Sequence, residues 1–171
     1  MAGTYVKTKV YNRHFVVNFG TADDPEFYDL IHGFSSRGNN ITEDTQDYFY
    51  FSDRGMADSD PTTQTIERTF AGNRFLGDPA QDAIFIDRIF DMDNRTVTVL
   101  EYYDNKTAAQ VDIDMQYNAA IIITDDGSGD TASRETIGFS LRVQGIPVRG
   151  TVGFPATEGD PYTFTPKTVQ P

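Results

Sequence analysis

The chain has 171 residues, a length at which one core buries roughly 70% of the surface the unfolded chain exposes, so a single domain over 1–171 is expected. Lys and Arg number 14 against 26 Asp and Glu, a formal net charge of -12, which excludes a sequence-independent grip on nucleic acid or anionic lipid. Zero cysteines and two histidines, His14 and His32, remove disulfide scaffolds, thiolate zinc sites and most general-base chemistry. Nine Tyr and thirteen Phe without Trp suit a half-buried pleated surface, so the fold is read as all-β with one short helix.

Met1-Ala2-Gly3-Thr4 opens without a basic and then apolar leader, and no run of 18 apolar residues follows. The reading is a chain made and used in a cytoplasm. Lys7, Lys9 and Arg13 lie in an acid-free stretch that leads into the strand-like Arg13-His14-Phe15-Val16-Val17. Segment 21–61 then carries ten acids against Arg37 and Arg54. Its apolar residues come in clusters, above all Tyr48-Phe49-Tyr50-Phe51, separated by polar stretches, so 34–63 reads as a long loop between strands.

Thr65 to Phe70 is β-branched and partly alternating, a strand closing at Gly72. Gly77-Asp78-Pro79-Ala80-Gln81 places Asp at an N-cap, Pro at the first helical position and Gln three residues after the cap. This predicts a helix from Pro79 to about Phe90, with Ala83, Ile86 and Phe90 as its apolar stripe, while Ile84-Phe85-Ile86 also fits a strand. Thr96 to Tyr103 reads as a strand with Leu100 and Tyr102 on one face and Val97, Val99 and Glu101 on the other. Val111 to Tyr117 alternates, with Asp112 and Asp114 expected to face water, and Ala119 to Thr124 is continuously apolar. Thr136–Val143 and Val148–Phe154 flank Gln144-Gly145-Ile146-Pro147, read as a hairpin turn. Beyond Phe154, four prolines break any regular element, so 155–171 reads as a C-terminal arm or a disordered tail.

No constellation selects catalysis. Gly127-Ser128-Gly129-Asp130-Thr131-Ala132 matches a dinucleotide fingerprint formally, but Asp125, Asp126 and Asp130 stand where a pyrophosphate must sit, and a strand rather than a helix follows. The same cluster lacks the acid spacing of an EF-hand loop. Nucleophile-elbow, zincin and phosphate-loop motifs are absent, and nothing singles out two carboxylates among 26. No catalytic residue, metal site or cofactor is expected.

The run Phe70-Ala71-Gly72-Asn73-Arg74-Phe75-Leu76-Gly77-Asp78-Pro79-Ala80-Gln81 through Phe85 resembles the strand-to-helix junction of major tail proteins, the tail-tube subunits of long non-contractile tailed bacteriophages (siphophages). Glu135 to Pro147, with the preceding Gly-rich loop, resembles that family's closing segment. Asn73 and Gln144 depart from it, standing where His and Asn are usual. The resemblance implies a β-sandwich or partly closed barrel of the tail-tube type that forms homohexameric rings, stacked into a helical tube for genome ejection. It implies a virion protein and not an enzyme. Its partners would be further copies of itself, with the tape measure, tail terminator and distal tail proteins, and DNA would pass without specific binding.

Arms, here 1–12 and 155–171, and long loop commonly bridge subunits in such tubes, which makes Lys7, Lys9, Arg13, Arg37, Asp44, Asp47, Tyr48, Tyr50, Arg54, Asp58 and Asp60 the candidate interface residues. Asp78, Pro79 and Gln81 are a structural cap, and lumen-facing residues stay unassigned. The alternative reading is a β-sandwich binding module for carbohydrate or a cell-surface partner, motivated by the aromatic content and the acidic loop 125–130.

Overall fold

The computed structural model describes residues 6–107, 110–156 and 161–168. Eight strands form one antiparallel sheet: β1 (Arg13–Asn18), β2 (Phe27–Asp29), β3 (Phe34–Phe49), β4 (Ala57–Asn73), β5 (Thr96–Tyr103), β6 (Asp114–Ser128), β7 (Thr136–Gly153) and β8 (Thr163–Pro166). The strand order is β2-β1-β5-β6-β7-β4-β3, with β8 added to β7. The sheet curls until its two ends approach. Arg37 on β3 reaches β1 and the residue after β2, donating to the carbonyls of Arg13 and Leu30, the latter at 2.9 Å.

Period-two alternation builds the core. The concave face buries Phe15 and Val17, Val97 and Val99, Tyr117 and Ile121, Ile137, Phe139 and Leu141, and Phe70 from successive strands. The aromatic centre is Phe139, stacked on Phe70 at 5.0 Å and met edge-on by Phe34 and Phe85. On the other face of β1 and β5, Val16, Leu100 and Tyr102 are covered by Val152, Tyr162 and Phe164, so the late part of β7 and β8 form a second layer.

The cap forms as read, but the helix is shorter than expected. Helix α1 spans Pro79–Asp82, passes into a π-helical turn over Ala83–Asp87 and stops there. Ala80, Ala83, Ile84 and Phe85 face the core, whereas Ile86 and Phe90 are exposed. The wider turn rotates the apolar run Ile84-Phe85 inward, and the expected stripe fails at its second member. Gln81 is completely buried: its backbone N–H donates to Asp78 Oδ1 (2.9 Å), its Oε1 accepts from the Phe75 N–H (2.7 Å), and its Nε2 donates to the His32 carbonyl (2.9 Å). Gly33 sits beside it at φ 78°, where a Cβ would lie 2.5 Å from Gln81 Nε2. Asp78→Ala removes one cap bond from a short helix and is expected to cost about 1 kcal/mol, read as a lowered urea midpoint.

Four expectations fail besides the helix. Segment 34–63 is not a loop: β3 and β4 pair in antiparallel register from Phe34↔Gly72 out to Phe49↔Ala57. Gln144–Pro147 is not a hairpin turn, because β7 runs straight on, with Gln144 opposite Asn118 and Val148 opposite Gln116. Three residues of β7 therefore face only Tyr117, a bulge that Gly145 allows at φ 72°. Asp114 does not face water but is fully buried, held by Lys106 and accepting from the Val152 N–H at 2.9 Å. In the tail, Thr163–Pro166 forms a strand on β7. Prolines are tolerated there because an edge strand has N–H groups to spare. Residues 1–5, 157–160 and 169–171, which belong to the expected arms, lie outside the described residues.

Candidate assembly surface

The β4–β7 ladder ends at Glu67↔Arg142. Beyond that point β3 and β4 continue alone as a two-stranded ribbon of about ten residues per strand, roughly 30 Å at ~3.3 Å per residue. Residues 39–49 and 57–65 are exposed on both faces. The two strands are tied mainly by polar cross-strand pairs. Ser59 donates to Asp47 at 2.5 Å, Thr63 to Asp44 at 2.8 Å and Gln64 to Glu43 at 2.6 Å. The register slips at Asp44/Thr45, where Thr62 is the extra residue and Pro61, opposite Thr45, has no N–H to give the ladder.

The tip turns through a single 3-10 turn at Phe51–Asp53, with Arg54 left-handed at φ 53° and then Gly55. Phe49, Tyr50, Phe51 and Met56 crown it, Tyr50 stacked on Tyr48 at 6.4 Å. Two strands without a buried face are marginal in water, and exposed aromatics at the end of such a ribbon mark a contact surface.

The expected interface residues divide accordingly. Asp44, Asp47, Tyr48, Tyr50, Arg54, Asp58 and Asp60 all lie on the ribbon. Arg37 does not: it is half-buried at the ribbon's root, over the rings of Phe15 (5.7 Å) and Phe70 (6.0 Å). Arg13 turns inward, its Nε donating to Glu101 Oε1 at 2.6 Å. Lys7 and Lys9 are exposed near the base of β1, with Lys9 Nζ 5.5 Å from the Tyr11 ring centroid.

Both histidines hold the fold. His14 stacks on Tyr102 at 5.0 Å with its nitrogens 3.3 Å from Asp29 and Asp104, and the His32 carbonyl anchors Gln81. Burial pushes the Asp29 carboxyl upward, only partly offset by His14 and Arg37. In the acidic loop, Asp125 Oδ2 accepts from Ser128 (2.8 Å) and Thr136 (2.9 Å), which lower its pKa. Among the described residues no cluster of His, Cys, Asp and Glu could hold a metal, and no helix is long and apolar enough to cross a membrane. A groove of about 600 Å³ on the outer face of β4, β6 and β7 is lined by Ser36, Thr69, Thr124 and Ser140 among others. It offers no exposed aromatic platform for a sugar.

The registers also fix the two ends of the molecule. The ribbon, the β5–β6 connection and the start of β1 share one end. The 74–95 connection, which carries α1, shares the other with the β6–β7 loop. That second end exposes Phe75, Leu76, Ile86, Phe90 and Met92. These residues were missed in the sequence because Ile86 and Phe90 fit a helical stripe.

The curled sheet, the helix at one end and the ribbon leaving the other make up the fold. The fold is that of tail-tube proteins. The chain is similar to the tail of an empty GTA particle solved by helical refinement with C6 symmetry (TM-score 0.61, 12% identity, covering 85% of this chain and 100% of that one). It is similar to the SPP1 tail tube (0.61, 14%, 84% and 79%). It is also similar to a chain from the sheath/tube terminator of PVC, an extracellular contractile injection system (0.51, 16%, 87% and 100%). No family model and no curated protein sequence matches.

Proposed function

We propose that this chain is a structural tail-tube subunit that self-assembles into hexameric rings, stacked into a tube through which a phage genome leaves the virion. The observation that carries this reading is the ribbon: ten residues per strand, solvated on both faces and tipped with aromatics, have no stabilising role within their own subunit. Likeness in fold to tubes of both tail and contractile-injection type, one resolved with C6 symmetry, supports it.

The charge fits the task. A protein that neutralises 6–10 phosphates already binds duplex without sequence preference, so lysines repeated around a bore would stall a sliding genome. A surplus of acids, net charge -12, supports a bore that does not hold the duplex. Assembly proceeds in the host cytoplasm and ends in the virion, with tape measure, tail terminator and distal tail proteins as further partners.

Negative-stain microscopy of the purified protein tests the reading. Hollow polymers with sixfold end views are expected, and a persistent monomer at millimolar concentration would overturn it. Lys7 and Lys9 are proposed to offset the acids of neighbouring subunits. Reversing both charges is therefore expected to slow polymerisation at low salt and to make added salt promote it, as followed by light scattering. Unchanged kinetics would remove these lysines from the interface.

A further inference from the structure

The sequence carries 26 acids against 14 Lys and Arg, yet one of its cavities is basic. This cavity of about 220 Å³ lies between the N-terminal segment, the start of β1, the root of β3 and the end of β5. Lys9, Arg13 and Arg37 line it together with Thr8, Asn39 and Tyr103, and no Asp or Glu is among the described residues that do so. The cations converge on one ring. The guanidiniums of Arg13 and Arg37 stand 5.5 and 5.7 Å from the centroid of Phe15, and Arg37 also donates to the Arg13 carbonyl. Among the described residues Lys9 and Arg37 make no ion pair, while Arg13 shares the carboxylate of Glu101 with Arg68. The cations Lys9, Arg13, Arg37 and Arg68 thus have a single carboxylate in contact. Asp29 acts on Arg37 through space, but it faces His14 and burial raises its pKa. Positive charge partly withdrawn from water without a counter-ion is unfavourable, and an anion in the cavity relieves it.

We propose that this cavity binds a small phosphate-class oxyanion, either free phosphate or the terminal phosphate of a nucleotide, between Lys9, Arg13 and Arg37. The inference concerns the single chain and does not rest on the tube reading.

The donors an oxyanion needs are at hand. Arg13 spends Nε and Nη2 on Glu101, and Arg37 spends both of its Nη groups on the carbonyls of Arg13 and Leu30. With its amide turned to satisfy both ends, Asn39 accepts from Arg13 Nη1 at 3.1 Å, which leaves that nitrogen a second proton. Arg37 Nε and the Lys9 ammonium complete the set, with the hydroxyls of Thr8 and Tyr103 beside them. The surplus of charge selects the ligand. Chloride would answer one cation, whereas a phosphate dianion answers two, and its tetrahedral oxygens accept from several directions at once. A duplex is shut out: each of its phosphodiesters carries one charge, and the acids of a chain of net charge -12 repel the remainder. An acidic peptide meets the same field.

Equilibrium dialysis of the full chain against radiolabelled phosphate, in chloride buffer of constant ionic strength, tests the proposal and reads uptake in any assembly state. Saturable uptake of one phosphate per chain is expected. Displacement by adenosine monophosphate would extend the site to phosphomonoesters, and its failure would assign the site to the free ion; both keep the proposal. Displacement by oligoglutamate or by a short duplex without terminal phosphates, at concentrations where adenosine monophosphate has no effect, would overturn it in favour of a macromolecular partner. Asn39→Asp, at an exposed position, sets a carboxylate against Arg13. It is expected to lower phosphate affinity about tenfold and to raise the urea midpoint in phosphate-free buffer, because the new carboxylate supplies the counter-charge. A variant that merely disturbed the fold would lower both readings, and Lys9→Ala, also exposed, then decides by its own loss of affinity. Uptake that grows without saturation, or that both variants leave unchanged, would remove the site.

Discussion

Glu101→Gln is expected to destabilise the monomer by about 3–5 kcal/mol, the largest loss from any isosteric change in this protein. Glu101 is 1% exposed and sits on the concave face of β5 among Val97 and Val99. Its Oε1 accepts from two nitrogens of Arg13, and its Oε2 accepts from the Tyr117 hydroxyl at 3.0 Å and from Arg68 Nε at 3.4 Å. Four strands meet at this carboxylate: β1, β4, β5 and β6. Strands β1 and β4 share no ladder, so the ion cluster bridges the curl where backbone hydrogen bonds cannot. Burial and the adjacent carboxylate both push the Tyr117 phenol upward, keeping it neutral and a donor.

Glutamine keeps the volume but leaves two guanidiniums with no counter-charge and turns an amide N–H toward donors. The urea midpoint at neutral pH reads the loss, and a change below about 1 kcal/mol would mean that water reaches the cluster. The triple replacement of Arg13, Arg68 and Glu101 by apolar residues of similar volume is expected to recover most of the loss. Buried ion clusters are costly to break but add little over well-packed carbon.

The parts of this fold that were legible in the sequence are those where burial imposes a period. Thr96 to Tyr103 could be placed residue for residue because both of its faces are buried, one by each layer. The Asp78-Pro79-Gln81 cap was legible because helix-end chemistry is local. The ribbon was not, for a physical reason: with both faces in water, neither β3 nor β4 needs alternation there, and polar cross-strand pairs supply the order instead. Gly145 and Pro147 misled because the residues that allow a turn also allow a bulge. Asp114 was read as solvated because its partner Lys106 is brought back by the β5–β6 connection, which an alternation pattern does not encode. The exposed apolar residues of the 74–95 connection were hidden in the same way, since the π-helical turn that exposes Ile86 leaves no signature in composition.

Excising the ribbon separates folding from assembly more completely than any point substitution. Asn40 and Glu67 are register partners, so a two-residue Asn-Gly turn can join them in place of residues 41–66 without disturbing the pairing beneath. The removed segment contributes nothing to the buried core. Its loss also spares the chain the entropy of ordering an excursion of that length. The stability of the body is therefore expected to stay within about 1 kcal/mol of the full chain. Polymerisation, in contrast, should disappear altogether, because the apolar tip and the whole free edge of β3 beyond the core leave with the ribbon. Sedimentation velocity across a concentration series reads the result. A shortened chain that still elongates would show that copies associate through the body alone, and the ribbon would then need another partner to explain its aromatic tip.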